Sequence, residues 1–239
     1  MIKIENVDVS GWEAAIRGMR NPLNSWDKSD SHYGCGYGED YTYPTCGDIC
    51  IDKCRYIIGD NDLLLMKRLV NAGTDHRKFL RMINVTMDIT APLYWWKEFD
   101  TYKVGTVANS CSTMHKIAAK EFTLEDFSCD FLLADEPIPG RDYSSLAMME
   151  ATIYNLNRFR DLYLQTKDKK YWWQMIQLLP SSYNQRRTAQ LNYEVLANIY
   201  KSRKNHKLDE WSVGFMKWIE SLPYSELITG KEVSDNETL

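Results

Sequence analysis

The stretch MINVTMDITAPLYWWKEF, residues 82–99, sets the strongest limit on what this chain can build. From Met82 to Thr90 apolar and polar side chains alternate, with β-branched residues among them, which predicts a strand with one face turned to a core. The run ends at Ala91-Pro92-Leu93. Pro92 suits a first helical turn, where its missing N–H has no partner to lose, and Leu93 to Phe99 continues that helix. A strand that passes directly into an aromatic helix calls for a sheet with helices packed against it.

The flanking segments fit such a layout. Lys3 to Val9 reads as a strand and Trp12 to about Met19 as a helix. Asp60 to Ala72 reads as a helix with an Asp cap and Gly73 just beyond its end. Pro137, Pro139 and Gly140 break the acidic connection at 121–142. Four helices follow: Ser144 to Thr166, Lys170 to Leu179 with Pro180 as a stop, Tyr183 to Ser202, and Leu208 to Leu222. In the first, Leu146, Met149, Ile153, Leu156, Phe159 and Leu162 recur near helical spacing. Strands early and helices late predict an α+β fold, a small antiparallel sheet with a helical bundle. The 239 residues are expected to form a single domain. Residues 21–58 are read as a Cys-rich loop insertion and 229–239 as a frayed tail.

A formal net charge of −4 argues against a nucleic-acid duplex as partner, since that needs clustered excess Lys and Arg. No apolar run approaches the roughly 20 residues that cross a bilayer. MIKIENVDVSGWE lacks a basic-then-apolar leader, so a cytoplasmic location is expected. Six cysteines are then read as thiols. Cys46, Cys50 and Cys54, four apart, would share a stripe on a helix. They are weak metal candidates, with Cys35 or His32 as a fourth ligand. The spacing misses that of common zinc knuckles, and a small buried face is the competing reading.

Two gap-free blocks resemble the flavin-dependent thymidylate synthases (ThyX). Phe79-Leu80-Arg81, a strand and Ala91-Pro92-Leu93 match the family's Phe-Glu-His, strand and Ala-Pro-Ile. Leu179-Pro180, eleven residues, Asn192, the aliphatic run Val195 to Tyr200 and Arg203 match its Leu-Pro, Asn-x-Arg and downstream Arg. AIRGMRNPLNSWD is similar to its Arg-rich first helix, with Ser25-Trp26-Asp27 at the end. The resemblance implies a homotetramer holding FAD and a pyrimidine nucleotide. In the family reaction a methylene passes from methylene-tetrahydrofolate to C5 of dUMP, with hydride from NADPH-reduced flavin. Carried over by position, Ser25, Arg81, Lys103, Thr106, Asn109, Asn192 and Arg203 would contact the cofactor, and Lys97, Ser110, Ser112 and Glu194 the substrate. No catalytic side chain is assigned.

The family's signature loop, Arg-His-Arg-x2-Ser-x-Asn-Glu-x-Ser-x-Arg-Tyr, falls on TYKVGTVANSCSTM at 101–114. Lys103 and Thr106 keep comparable chemistry there. A shift of one residue aligns Asn109 and Ser112 instead. Asn-x-Arg becomes Asn192-Tyr193-Glu194, a charge reversal. Each lost Arg–phosphate bond removes roughly 1.5–3 kcal/mol. Lys97, Lys103, Arg81, Arg203, Arg186 and Arg187 are the cations available to compensate. A relative acting on another pyrimidine nucleotide, or one that keeps the fold and only binds or assembles, are both open.

Other features carry paired readings. The small-residue loop at 101–115 is either a ligand pocket or a structural turn. Tyr94-Trp95-Trp96 and Tyr171-Trp172-Trp173 either stack a planar ring or fill core and interface. Cys111 and His115, four apart, form either a thiolate–imidazole pair or nothing chemical. His76-Arg77-Lys78 either binds an anion or is solvated. Asn192 and Arg203, eleven apart, fall on one side of a helix that borders the flavin in the resemblance.

Overall fold

Ile83, Val85, Met87, Ile89 and Ala91 are fully withdrawn from solvent, while the polar residues between them stay half-buried. That is the alternation read from the sequence. The computed structural model describes residues 2–35 and 54–230. In chain order its elements are β1 (Lys3–Ser10), α1 (Trp12–Arg20), β2 (His32–Cys35), β3 (Cys54–Ile57), α2 (Asp60–Asn71), β4 (Asn84–Pro92) and α3 (Leu93–Phe99). Next come β5 (Val107–Ser110), α4 (Thr113–Lys116), α5 (Ser145–Thr166), α6 (Lys169–Leu178), β6 (Asn184–Asn192) and α7 (Tyr193–Arg203). A π-helical turn (Glu210–Phe215), α8 (Met216–Glu220) and α9 (Glu226–Thr229) close the described chain. The fold is α+β. Its main sheet is small and antiparallel, in the order β1-β4-β6-β5.

Three expectations need correction. The helix expected over 183–202 starts only at Tyr193, and the residues before it form β6. Arg187, Ala189 and Leu191 turn inward there while Arg186, Thr188 and Gln190 face out. An interior position in the sheet overrides the weak strand propensity of NQRRTAQLN. The loop expected over 101–115 contains β5 and α4. The helix expected over 208–222 is a π-helical turn running into α8.

Within residues 21–58, β2 and β3 pair antiparallel, with Cys35 opposite Cys54 in the register. Cys54 therefore sits on a strand and not on the helical stripe expected of it. Cys46 and Cys50 lie outside the described residues, as does the expected frayed tail beyond Gly230.

By internal packing the chain divides into two compact units. Residues 1–6, 87–103 and 107–189 form one; residues 7–86, 104–106 and 190–239 form the other. In the first unit, Leu156 of α5 and Met175 of α6 meet Ile117, Phe122 and Phe127 in a core, with Tyr183 packed against it. Here α3 contributes Trp95, Trp96 and Phe99, with ring centroids 4.9 to 5.2 Å apart. Trp95 and Trp96 thus fill core. In the second unit, Trp12 packs edge-on against Tyr193 and Tyr224. Burial pushes the Tyr193 phenol far above its ordinary range, and its hydroxyl donates to the Pro223 carbonyl.

A buried ion pair organises the turn after α1. Asp62 receives Arg20 Nε at 2.6 Å and the hydroxyls of Ser29 and Ser31 at 2.6 and 2.7 Å. Burial raises this carboxyl, but the bonds from Ser29, Ser31 and Arg20 outweigh it and the net shift is downward.

Candidate functional site

In the first unit the start of β6 and the segment from Cys111 to Lys120 together line a cleft of about 370 Å³. Arg186 accepts a backbone hydrogen bond from Cys111 at 2.9 Å, and Gln185 Nε2 donates to the Cys111 carbonyl and to Thr113 Oγ1, both at 3.0 Å. Ser112 caps α4, its Oγ accepting from the His115 N–H at 3.1 Å. These bonds fix one wall and keep Ser112, Thr113 and Lys116 on the cleft.

Lys120 and, from the acidic connection, Glu125 and Asp126 complete the lining. Lys120 is ion-paired with Asp126, and that bond lifts the ammonium above its ordinary range. Tyr183 is pushed up by burial and then by the nearby Asp126 charge. Lys116, the N–H groups of Arg186 other than the one bound to Asp88, the hydroxyls of Ser112 and Thr113 and the Asn184 amide remain to meet a ligand, while the Gln185 amide is spent on Cys111, Thr113 and Arg187. Such a set can hold an anion and read polar ring edges.

Arg186 does not act alone. Asp88, on β4, accepts from Thr188 Oγ1 at 2.5 Å, Arg186 at 2.7 Å and Asn6 Nδ2 at 2.8 Å. The Thr188 bond, then Arg186, then Asn6 hold the Asp88 carboxyl well below the usual range. Arg187 turns the other way, 2.7 Å from Asp100 and 4.2 Å from the Trp96 ring centroid.

The second unit has its own constellation at the start of α7. Gly105 adopts φ +75, and a side-chain carbon there would stand 3.1 Å from both Asn192 Nδ2 and Val195 Cγ2. Only glycine fits so close to the helix entrance at that angle. Asn192 caps the helix, its Oδ1 accepting from the Val195 N–H at 3.0 Å. Next to Gly105 in the chain, the Thr106 hydroxyl is buried with no hydrogen-bond partner among the described residues. A buried polar atom without a partner costs about 1–3 kcal/mol and marks a place where a ligand group can settle the deficit.

Glu194, in the first turn of α7, is withdrawn from solvent against Arg77. Arg77 Nη2 donates to Glu194 Oε1 at 3.2 Å and to Asn198 Oδ1 at 3.3 Å. The Arg77 Nε approach to Oε2, 2.9 Å, lacks hydrogen-bond alignment, so it contributes charge attraction alone. The basic turn His76-Arg77-Lys78 therefore does bind an anion, and the anion is the chain's own Glu194.

The other residues singled out by sequence are scattered. Asn109 and Ser110 lie exposed on β5; Lys97 is exposed on α3 and Lys103 in the turn after it. Arg81 is exposed in the short turn before β4. The Ser25 carbonyl accepts from Arg20 at 3.2 Å. Arg203 sits 5.2 Å from the Trp211 ring centroid. The first unit's cleft thus takes in Ser112 and Arg186, and the second unit's corner sets Gly105, the neighbour of Thr106 in the chain, against Asn192. Lys116, Lys120, Tyr183 and Gln185 belong to no motif: the two lysines merely follow the small-residue loop, and Tyr183 and Gln185 merely precede Arg186-Arg187. Among the described residues no cluster of His, Cys, Asp and Glu could hold a metal ion, and no helix is long and apolar enough to cross a membrane.

No protein-family model matches the chain, and no curated protein matches it by sequence. Solved structures do. The chain is similar to thymidylate synthase X from Helicobacter pylori, crystallised with FAD and dUMP, at TM-score 0.63 and 14% identity, covering 96% of this chain and 97% of that one. It is similar also to the UMP/dUMP methylase PolB from Streptomyces cacaoi bound with 5-Br dUMP, at TM-score 0.54 and 16% identity over 96% and 95% of the two chains. With the sheet, the strand-to-helix junction at Pro92 and the Asn192-capped helix in place, the chain has the fold of the flavin-dependent thymidylate synthases, at a low identity that marks it as divergent.

Proposed function

We propose that this chain is a flavin-dependent enzyme that modifies a pyrimidine nucleotide at C5, as a ThyX-like methyltransferase or a relative with an altered substrate. The observation that carries the proposal is the corner at the start of α7, where Gly105, the unpartnered Thr106 hydroxyl and Asn192 leave an unmet hydrogen bond beside a helix N-terminus. These neutral groups suit a cofactor rich in hydrogen-bonding oxygens. Thr106 and Asn192 would hold FAD, together with Ser25, Arg81, Lys103, Asn109 and Arg203 as the resemblance assigns them. When bound, a reduced flavin supplies the hydride.

The chain's own residues account for the nucleotide. Lys116 and Arg186 would neutralise a monophosphate in the first unit's cleft, while Ser112 and Thr113 donate to its oxygens and Asn184 reads the base edge. Ser110, Lys97 and Glu194 complete the substrate set that the resemblance assigns. Arg77 keeps the Glu194 carboxylate from repelling an anion. In the same reading NADPH and methylene-tetrahydrofolate are the co-substrates, and the working form is a homotetramer in the cytoplasm. The ligands of the structurally similar proteins, FAD with dUMP in one and 5-Br dUMP in the other, support this choice of partners.

A second reading rests on a specific observation: Arg20, Arg77, Arg186 and Arg187 all have carboxylate partners within the chain. A fold that has committed these guanidinium groups to its own carboxylates can serve as a ligand-binding or assembly protein without chemistry. Purification without denaturants separates the two. A protein that shows the visible flavin band, and converts dUMP to a methylated product when given methylene-tetrahydrofolate and NADPH, supports the first reading. A colourless protein that stays so with added FAD supports the second.

A further inference from the structure

Behind the wall that carries Ser112 and Lys116 lies a second cavity of the first unit, about 350 Å³, lined by Met114, His115, Tyr163, Lys167, Lys169 and Trp172 with Ile117 and Ala118 at its base. Its chemistry differs from that of the cleft. The cleft has side chains of both signs, whereas this cavity has two ammonium groups and an imidazole and no carboxylate, in a chain whose net charge is −4. Two aromatic rings share the lining.

Local structure brings these groups together. Helix α5 ends at Lys167, which takes the left-handed conformation at φ 56 and turns the chain sharply into α6. That turn places Lys167 and Lys169 side by side, with Tyr163 one helical turn before and Trp172 one turn after. Lys167 Nζ lies 5.8 Å from the Tyr163 ring centroid, and Lys169 Nζ lies 6.0 Å from that of Trp172. The Trp172 indole N–H already donates to the Met114 carbonyl at 3.2 Å, which ties α6 to the cleft wall; the ring packs partly on the core and partly edge-on against Trp173, and its half-buried remainder lines the cavity. Asp168, the nearest acid in sequence, is ion-paired with Lys170 at 3.1 Å and does not line the cavity.

We propose that this cavity is a second binding site, for a nucleoside monophosphate: the phosphate meets Lys167, Lys169 and His115, and the base packs against Trp172 and Tyr163. The pairing of cations with ring faces selects a planar group joined to an anion, since an isolated phosphate uses only the first half and an uncharged base only the second. The proposal stands apart from the flavin reading, because none of these residues belongs to the cleft or to the α7 corner, apart from the shared Ile117.

The test is calorimetric titration of the full chain with uridine monophosphate, ribose 5-phosphate and inorganic phosphate, in the wild type, Lys116→Glu and Lys169→Glu. Both lysines are exposed, and circular dichroism checks that each variant is folded. The expected result is a class of uridine monophosphate sites that survives Lys116→Glu, weakens about tenfold or more in Lys169→Glu, and quenches tryptophan emission less in Trp172→Phe. Ribose 5-phosphate and inorganic phosphate should occupy that class at least about tenfold more weakly. Equal binding by the wild type and Lys169→Glu overturns the site. Equal binding of ribose 5-phosphate and uridine monophosphate overturns the role given to the rings.

Discussion

Replacing Arg77 with Met tests how the chain tolerates an acid where its relatives' resemblance places an arginine. Glu194 keeps only 9% of its side chain exposed, and Arg77 keeps 19%. Removing the guanidinium strands a carboxylate among Tyr193, Val195, Leu196 and Ala197, all buried. Breaking a buried pair in this way costs about 3–5 kcal/mol, and residual solvent access at Arg77 puts the expectation at the low end, about 3 kcal/mol. For a chain of this size that corresponds to a fall in Tm of about 6–12 °C. Glu194→Gln alone should cost less, because Arg77 can turn toward water. The double variant Arg77→Met/Glu194→Gln should recover about 2 kcal/mol of coupling in a double-mutant cycle. The assay is thermal unfolding followed by circular dichroism. A single Arg77→Met variant melting within about a degree of the wild type would refute the reasoning, as would losses that simply add in the double variant.

Three further outcomes are expected. Gly105→Ala forces a side chain into the left-handed region and against Asn192, so it should cost about 1–2 kcal/mol in unfolding experiments and loosen retention of added FAD. Lys116→Glu should weaken binding of dUMP or UMP in the cleft by about tenfold or more by calorimetry, with unchanged circular dichroism. Asp88 has a folded-state pKa lowered by Thr188, Arg186 and Asn6, so its contribution to stability is complete above the unfolded value of about 4 and drains away as pH falls below it. Melting the wild type and Asp88→Asn from pH 7 downward should therefore give a shallower acid decline for the variant; parallel curves would contradict this.

Much of the fold was readable because burial imposes a period. Ile83, Val85, Met87 and Ile89 announced β4, and Leu156, Phe159 and their neighbours announced α5, since each sits where a core demands an apolar side chain. β6 escaped notice because its inward positions begin with Arg187, whose guanidinium lies over the Trp96 ring instead of in water. Read with that arginine counted as inward, Arg187-Ala189-Leu191 shows the same two-residue period. The π-helical turn at 210–215 has no local signature at all, because its widened hydrogen bonding depends on how Trp211 and Phe215 pack. At the site, Gly105, Thr106 and Asn192 were legible through the resemblance, whereas Lys116 and Lys120 were not. Their placement depends on α4 and on an acidic connection that no motif describes. The partner of Glu194 was also invisible, because Arg77 lies 117 residues away in the chain.

The central claim is that a flavoenzyme fold here still holds a flavin beside the Asn192-capped helix. Native mass spectrometry of the protein, purified gently and supplied with FAD, reads assembly and cofactor in one spectrum. The account predicts a four-chain particle heavier than four times 28.0 kDa by the mass of bound FAD, with the adduct reduced in Gly105→Ala. A particle of bare chain mass at every FAD concentration, in whatever assembly, would contradict it.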